Sequence, residues 1–276
     1  NYGGHEPRYG SFARHFGSTL KMSIRHLVIP DVQAKDGVPL DHLEWAGKYI
    51  VDKKPDVVVQ IGDFCDLESL SSYDVGKKSF EGRRYKLDIE TAHKAMELLL
   101  RPLWDFNEKA RRNHETQYHP RMVLTLGNHE DRISRCVQAD PKLEGVLTLS
   151  DLRYEDYGWE VIPYLQPITI DGISYSHYYP SGQLGRPISS ARAILNKYHM
   201  SCICGHQQGR DIAYAKRADG SSLTAIIVGS FYQHDESYLS PFTNQHWRGL
   251  VVCHEIKDGA FDEMLVSINY LRQKYA

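Results

Sequence analysis

The sequence predicts an α/β fold, and three observations carry that expectation. Short apolar runs alternate with helical periodicity through the first half in the order βαβαβ. Closely spaced strands then fill most of the second half. The chain, at 276 residues, is long enough to bury a full core without disulfides or a structural metal. A βαβαβ order implies parallel strands joined by helical crossovers, and the second half reads as an added, mostly antiparallel sheet.

Each element has its own signal. The run Ile24-Arg25-His26-Leu27-Val28-Ile29 reads as a buried strand that ends at Pro30-Asp31. From Leu40 to Lys53 apolar residues recur at Leu43, Ala46, Tyr49 and Ile50, the spacing of an amphipathic helix, and Pro55 stops it. Asp56 to Ile61 is a second buried strand running into Gly62-Asp63. A long helix is expected from Leu87 to Asn113, kinked or split at Pro102. Met122 to Leu126 is a third strand, followed by Gly127-Asn128-His129-Glu130. Further strands are expected at 161–164, 167–170, 173–177, 201–204, 212–217, 223–228, 249–256 and 264–268, with one helix at 188–199. Turn signals such as Ala218-Asp219-Gly220 and Lys257-Asp258-Gly259 separate them. The polar, aperiodic residues 1–21 read as a flexible N-terminal segment, leaving 22–276 as a single domain.

Composition narrows the function classes. With 33 Lys+Arg against 35 Asp+Glu the formal charge is −2, which excludes a generally basic nucleic-acid coat but not a local patch. No apolar run approaches the ~18–20 residues that span a bilayer, and no signal peptide opens the sequence, so a cytoplasmic protein without membrane contact is expected. Five cysteines, an odd number, do not suggest a disulfide framework. Cys202 and Cys204 lie in an apolar run and read as buried strand thiols.

Five strands end in residues that can ligate a metal. They run into Asp31-Val32-Gln33, Gly62-Asp63-Phe64-Cys65-Asp66, Gly127-Asn128-His129-Glu130, Ser176-His177 and Cys204-Gly205-His206-Gln207-Gln208. Ligands of open α/β sheets bind outside the carboxyl ends of the strands. Taken singly, a Gly-Asp pair is a turn signal and a strand-end His is an ordinary polar residue. Five such ends together describe a site of carboxylate, amide and imidazole donors.

In their order and spacing these motifs resemble the calcineurin-like metallophosphoesterase superfamily, and the Asp-Val-Gln and Gly-His-Gln-Gln variants resemble phage-encoded members. The resemblance implies a four-layer α/β/β/α sandwich of two mixed sheets, two adjacent divalent metals, and hydrolysis of phosphate esters by a metal-activated water. It implies that Asp63 bridges the metals, with Asn128, His177 and His206 on one of them. The other would take Asp31 and two positions where the family has His and this chain has Gln33 and Gln208. An oxygen-rich shell there suits Mn²⁺ or Mg²⁺ better than Zn²⁺ and binds more weakly. By the same resemblance His129 faces the substrate, stabilising charge or protonating the leaving oxygen, and Asp66 is placed to orient it. Arg132 offers a cationic phosphate contact, though a helix-surface arginine would read the same.

For the substrate, the basic and aromatic stretch Lys77 to Lys86 favours a phosphodiester of nucleotide or nucleic-acid type. The alternatives are a phosphomonoesterase on the same fold and a degenerate scaffold serving as a binding module. The oligomeric state has no signal in the sequence; a phage-encoded chain would work in the host cytoplasm.

Overall fold

The computed structural model describes residues 23–72, 76, 80–236 and 239–276, so the segment expected to be flexible, 1–21, lies outside it. Eleven strands and five α-helices follow in chain order. They are β1 (His26–Ile29), α1 (Asp41–Lys53), β2 (Val57–Gln60), α2 (Tyr85–Arg112), β3 (Arg121–Thr125), α3 (Asp131–Ala139), β4 (Glu160–Ile162), β5 (Ile168–Ile170), β6 (Ile173–Tyr175), α4 (Ala191–Tyr198), β7 (Ser201–Cys204), β8 (Arg210–Lys216), β9 (Ser222–Val228), β10 (Gly249–Lys257), β11 (Ala260–Ser267) and α5 (Ile268–Tyr275).

The strands form two mixed sheets. The first has the order β11-β10-β1-β2-β3-β4, and the second β5-β6-β7-β9-β8. In the first sheet β1, β2, β3 and β4 are parallel, while β10 and β11 are antiparallel additions at the β1 side. The second sheet is parallel at its centre, β6 with β7 and β7 with β9, and antiparallel only at its two margins. That corrects the expectation of a mostly antiparallel second half. Closely spaced strands suggested hairpins, but α4 is a crossover between β6 and β7.

Side-chain alternation builds the layers. In β1, Leu27 and Ile29 face a cluster with α1 and α2 residues such as Leu43, Ala46, Met96 and Leu99. Val28 faces the opposite way, into a cluster with Tyr175, Ile203, Ile226 and Val251 drawn from both sheets. In β7 the order inverts: Ile203 joins the inter-sheet core, and Cys202 and Cys204 pack against Ile194 and Leu195 of α4. The result is the α/β/β/α sandwich of two mixed sheets, with the paired thiols as buried core residues.

Two further differences have local causes. Pro102 lies inside a continuous α2 rather than ending it. The ring packs over Gly47 of α1, where a Cβ would stand 2.3 Å from Leu99 O and 2.9 Å from Pro102 Cγ, so close helix packing holds the turn together. Helices α3 and α5 were not expected from the sequence; each buries a single residue, Ile133 and Leu271. Among the described residues no helix is long and apolar enough to cross a membrane.

His42, in the first turn of α1, is fully buried with its ring edge-on to Phe231, 5.0 Å between centroids. Burial pushes its pKa down to about 3. In the unfolded chain an imidazole titrates near about 6.5, so below that pH the unfolded state binds a proton that the native state refuses. Stability therefore falls as the pH drops from about 6.5 towards 3. Urea midpoints measured near pH 7 and pH 5 should diverge less in His42→Leu than in the wild type; an equal loss in both would exclude His42 as the source.

Candidate metal centre

All five motif-bearing strands deliver their residues to one edge. Asp31, Asp63, Asn128, His177 and His206 each follow the carboxyl end of a strand, β1, β2, β3, β6 and β7 respectively. Parallel pairing of β1-β2-β3 and of β6-β7 makes those ends adjacent within each sheet. Face-to-face packing of the sheets then brings the two groups together.

The backbone is bent to aim them. Gln33, Asp63, His206 and Gln208 all lie at positive φ, between 45° and 70°, a region that costs a side-chain-bearing residue about 1–2 kcal/mol. Four such residues gather at this one edge. Glycines make room beside them. A Cβ on Gly127 would stand 2.1 Å from Asp63 Oδ1, and one on Gly205 would stand 2.3 Å from Asp31 Oδ1.

At the centre, ligating atoms of Asp63, His177 and His206 lie within 4.8 Å of one another. Asn128 Oδ1 sits between the two rings, accepting from His206 Nδ1 at 2.7 Å and lying 3.0 Å from His177 Nε2. The His177 ring is oriented by its other nitrogen, which donates to Ile61 O at 2.9 Å. That bond leaves Nε2 as the bare nitrogen, yet Nε2 faces two acceptors, Asn128 Oδ1 and, at 3.3 Å, Asp63 Oδ2. The arrangement is repulsive unless positive charge lies among the three atoms. A proton on His177 answers that need here: burial opposes it, but Asp63 overrides and lifts the ring to about 9. A divalent cation is the other way to satisfy it, so the donor set fits a metal.

The remaining charges agree. Burial, then repulsion from His177, lowers His206 to about 4, so its ring stays neutral. Burial disfavours the Asp63 carboxylate, but His129 and His177 outweigh it and hold it well below the usual range. Asp31 is fully buried; burial raises its carboxyl to about 7 against the attraction of His177. Its oxygens accept the His206 backbone N–H at 3.1 and 3.0 Å.

Beside Asp31 the two glutamines meet. Gln208 Nε2 donates to Gln33 Oε1 at 3.5 Å, and Gln208 Oε1 accepts from Tyr232 OH at 2.5 Å. A hydrogen-bonded string thus stands where the family resemblance puts two imidazoles.

On the other side of Asp63 lies His129. Its Nδ1 is 3.0 Å from Asp66 Oδ1, at an angle short of a straight hydrogen bond, and its Nε2 accepts from Arg132 Nη2 at 3.1 Å. Burial opposes charge on the ring, but Asp63 and Asp66 hold its pKa above the ordinary histidine value. Arg132 also donates to Asp66 O at 2.6 Å and Asp66 Oδ1 at 3.1 Å. Its guanidinium is therefore committed to the His129–Asp66 pair, beyond the simple phosphate contact expected of it.

Three contributors had no role in the sequence reading. Glu130, fully buried, accepts the backbone N–H groups of Asp63 at 3.0 Å, Phe64 at 2.8 Å and Gly127 at 2.9 Å, and the Tyr154 hydroxyl at 3.2 Å. Its place in Gly127-Asn128-His129-Glu130 was a usable signal. Lys35 lies 3.3 Å from Asp66 Oδ2 and donates to both oxygens of the buried Glu236, at 2.9 and 2.8 Å. Glu236 comes from the loop after β9, 201 residues away, and nothing local announces it. Of the basic stretch, residues 77–79 lie outside the described residues, while Arg83 is tied to Glu68.

No family model and no curated protein matches this chain. Solved structures resemble it at low identity. A conserved uncharacterised protein of Streptococcus pneumoniae TIGR4, described as a predicted phosphoesterase, is 11% identical, with 88% of this chain and 98% of that chain covered and a TM-score of 0.31. A dimetal phosphatase of Danio rerio is 10% identical over 90% of this chain and 100% of that one, with a TM-score of 0.35. Purple acid phosphatase PPD1 from yellow lupin (Lupinus luteus) seeds is 12% identical over 89% of this chain and 54% of its own, with a TM-score of 0.30. Likeness at this level concerns the layered fold; the chemistry rests on the residues above.

Replacing Glu130 by Gln turns an amide N–H₂ towards donors and leaves at least one of them unpaired. Each buried unpaired donor costs about 1–3 kcal/mol, so Glu130→Gln should lose about 3 kcal/mol in urea unfolding. An unchanged midpoint would show that the carboxylate does not hold the two turns.

Proposed function

We propose that this protein is a metal-dependent hydrolase of phosphate esters, acting on a phosphodiester of nucleotide or nucleic-acid type. The observation that carries the reading is the convergence of Asp63, Asn128, His177 and His206, where His177 Nε2 faces two oxygens and positive charge, a proton or a cation, must lie between them. Asp63, Asn128, His177 and His206 would hold a divalent ion. Asp31, beside Gln33 and Gln208, offers a second, oxygen-rich and weaker position that suits Mn²⁺ or Mg²⁺. A cation bound there supplies Lewis-acid polarisation of the phosphoryl group and a water of lowered pKa.

The chain's own groups divide the remaining work. Asp66, held by Lys35 and Arg132, keeps the His129 ring oriented through Nδ1. His129 Nε2 lies 3.6 Å from Asp63 Oδ2 and accepts from Arg132 Nη2; with that contact released, Nε2 would carry the proton for the leaving oxygen. Arg132 adds fixed positive charge beside that ring, where negative charge grows on the phosphoryl oxygens. The preference for a diester comes from the basic and aromatic stretch of the sequence, Lys77 to Lys86.

Turnover of bis-p-nitrophenyl phosphate and p-nitrophenyl phosphate with added Mn²⁺, Mg²⁺ or Zn²⁺ tests the reading. Metal-stimulated hydrolysis is expected, faster on the diester, with His129→Ala lowering kcat by about 10²–10⁴-fold. Absence of metal-stimulated turnover on both compounds and on DNA and RNA would overturn it. Calorimetric metal titration addresses the glutamines: Gln33→His with Gln208→His should bind a second ion more tightly and favour Zn²⁺. Unchanged stoichiometry and affinity would remove the pair from the second position.

A further inference from the structure

We propose that the cavity between the loop after β9 and the first turn of α5 seats a second phosphate of an oligonucleotide whose scissile phosphate lies at Asp63. The inference rests on the phosphodiester reading above and extends it by a subsite. The cavity encloses about 320 Å³.

Its position follows from the topology. Strand β10 runs antiparallel to β1, so Arg248, immediately before β10, arrives at the carboxyl edge that bears Asp31. Bridges from Asp31 to Ser230 and from Ser230 to Arg248 join them directly. Tyr232 is the shared wall: its hydroxyl donates to Gln208 Oε1 and lies 3.3 Å from His246 Nε2, which lines the cavity. One hydrogen bond and the Tyr232 ring thus lead from the glutamine pair to the cavity.

Its chemistry is that of an anion site. Among the described residues the lining carries the Arg248 and Arg272 guanidiniums and no carboxylate, while His246 spends its Nδ1 proton on Thr243 O. Arg248 lies over the Tyr232 ring, 4.8 Å from its centroid, and one of its amino groups donates to Asp235 and Asn244 O. Its Nε is buried with no partner among the described residues. Arg272 donates one amino group to Gln233 Oε1 at 2.8 Å. The first turn of α5 completes the wall with Ser267, Ile268 and Asn269, the electropositive end of that helix. Two guanidiniums line one pocket, each with one amino group held by the protein, Arg248 by Asp235 and Arg272 by Gln233, and their remaining N–H groups suit a phosphate. Other cavities differ: the one holding Lys35 and Lys94 also holds Asp36 and Glu90, and the one at Lys216 and Arg217 lies beyond the opposite strand ends.

Fluorescence anisotropy with a labelled tetrathymidylate, metal-free in chelator and across a salt series, tests the subsite. Arg248→Gln and Arg272→Gln should each weaken binding severalfold and lower the slope of log K against log salt by about 0.7, the value for one phosphate contact on a single strand. A dithymidine with one phosphodiester, used as competitor, should lose much less affinity. Arg272→Gln, on an exposed helix face, keeps the test open if Arg248→Gln fails to fold, as judged by circular dichroism. Unchanged slopes, an equal loss for the one-phosphate compound, or no strand binding by the wild type would overturn the subsite. Strand binding with the expected slopes but no hydrolysis would leave the subsite standing and reject the hydrolase instead.

Discussion

The geometry of the candidate site depends on one buried carboxylate. Glu130 gathers the backbone N–H groups of the turn after β2 and the turn after β3, so two adjacent strand ends become one rigid surface. Asp63 is bound into that surface at a positive φ it would not adopt freely. The strain is small beside what several charge-assisted hydrogen bonds contribute at about 1.5–3 kcal/mol each. Glycine at 127 follows from the same constraint, because the two turns touch where its side chain would be.

Around this frame the acidic groups are treated in two ways. Asp66 has cationic partners from the protein itself, Lys35 and Arg132, and is held well below the usual carboxylate range despite its burial. Lys35 in turn is shared with Glu236, so that side of the site is electrically settled. Asp31 meets no lysine or arginine among the described residues, only the His206 backbone N–H and the attraction of His177, and burial raises its pKa to about 7. One carboxylate is neutralised internally, while the other leaves its charge to be met from outside. That asymmetry fits a fixed orienting pair on one flank and a cation position on the other.

The sequence carried the parts of this arrangement that are local. Buried strands showed as apolar runs, their ends as Gly-Asp, Gly-Asn-His and Gly-His, and the layer order followed once the family resemblance was in hand. The central pairing of the second sheet was hidden, because strand spacing alone does not reveal that α4 is a crossover. Helices α3 and α5 were missed for a different reason: they are short, nine and eight residues, and follow directly on the Gly127–Glu130 motif and on β11 with no turn signal between. At the site, Asp63, Asn128, His177 and His206 are brought together, while Gln33 and Gln208 meet each other and Tyr232 rather than standing as separate donors. The Lys35–Glu236 pair spans 201 residues and leaves no trace at either position.

The bond from the His206 backbone to Asp31 joins residues 175 positions apart. Closing such long loops is costly in chain entropy, and contacts of this separation slow folding. Asp63 and Asn128 come from neighbouring parallel strands of the first sheet, but His177 and His206 belong to the second. During synthesis the amide and carboxylate donors therefore emerge well before either imidazole. A nascent chain released at its midpoint would carry half of the candidate cluster, which is complete only when the two sheets have docked. Ion binding would then favour the docked state over any partly folded one, making the site a late fastening of the whole sandwich.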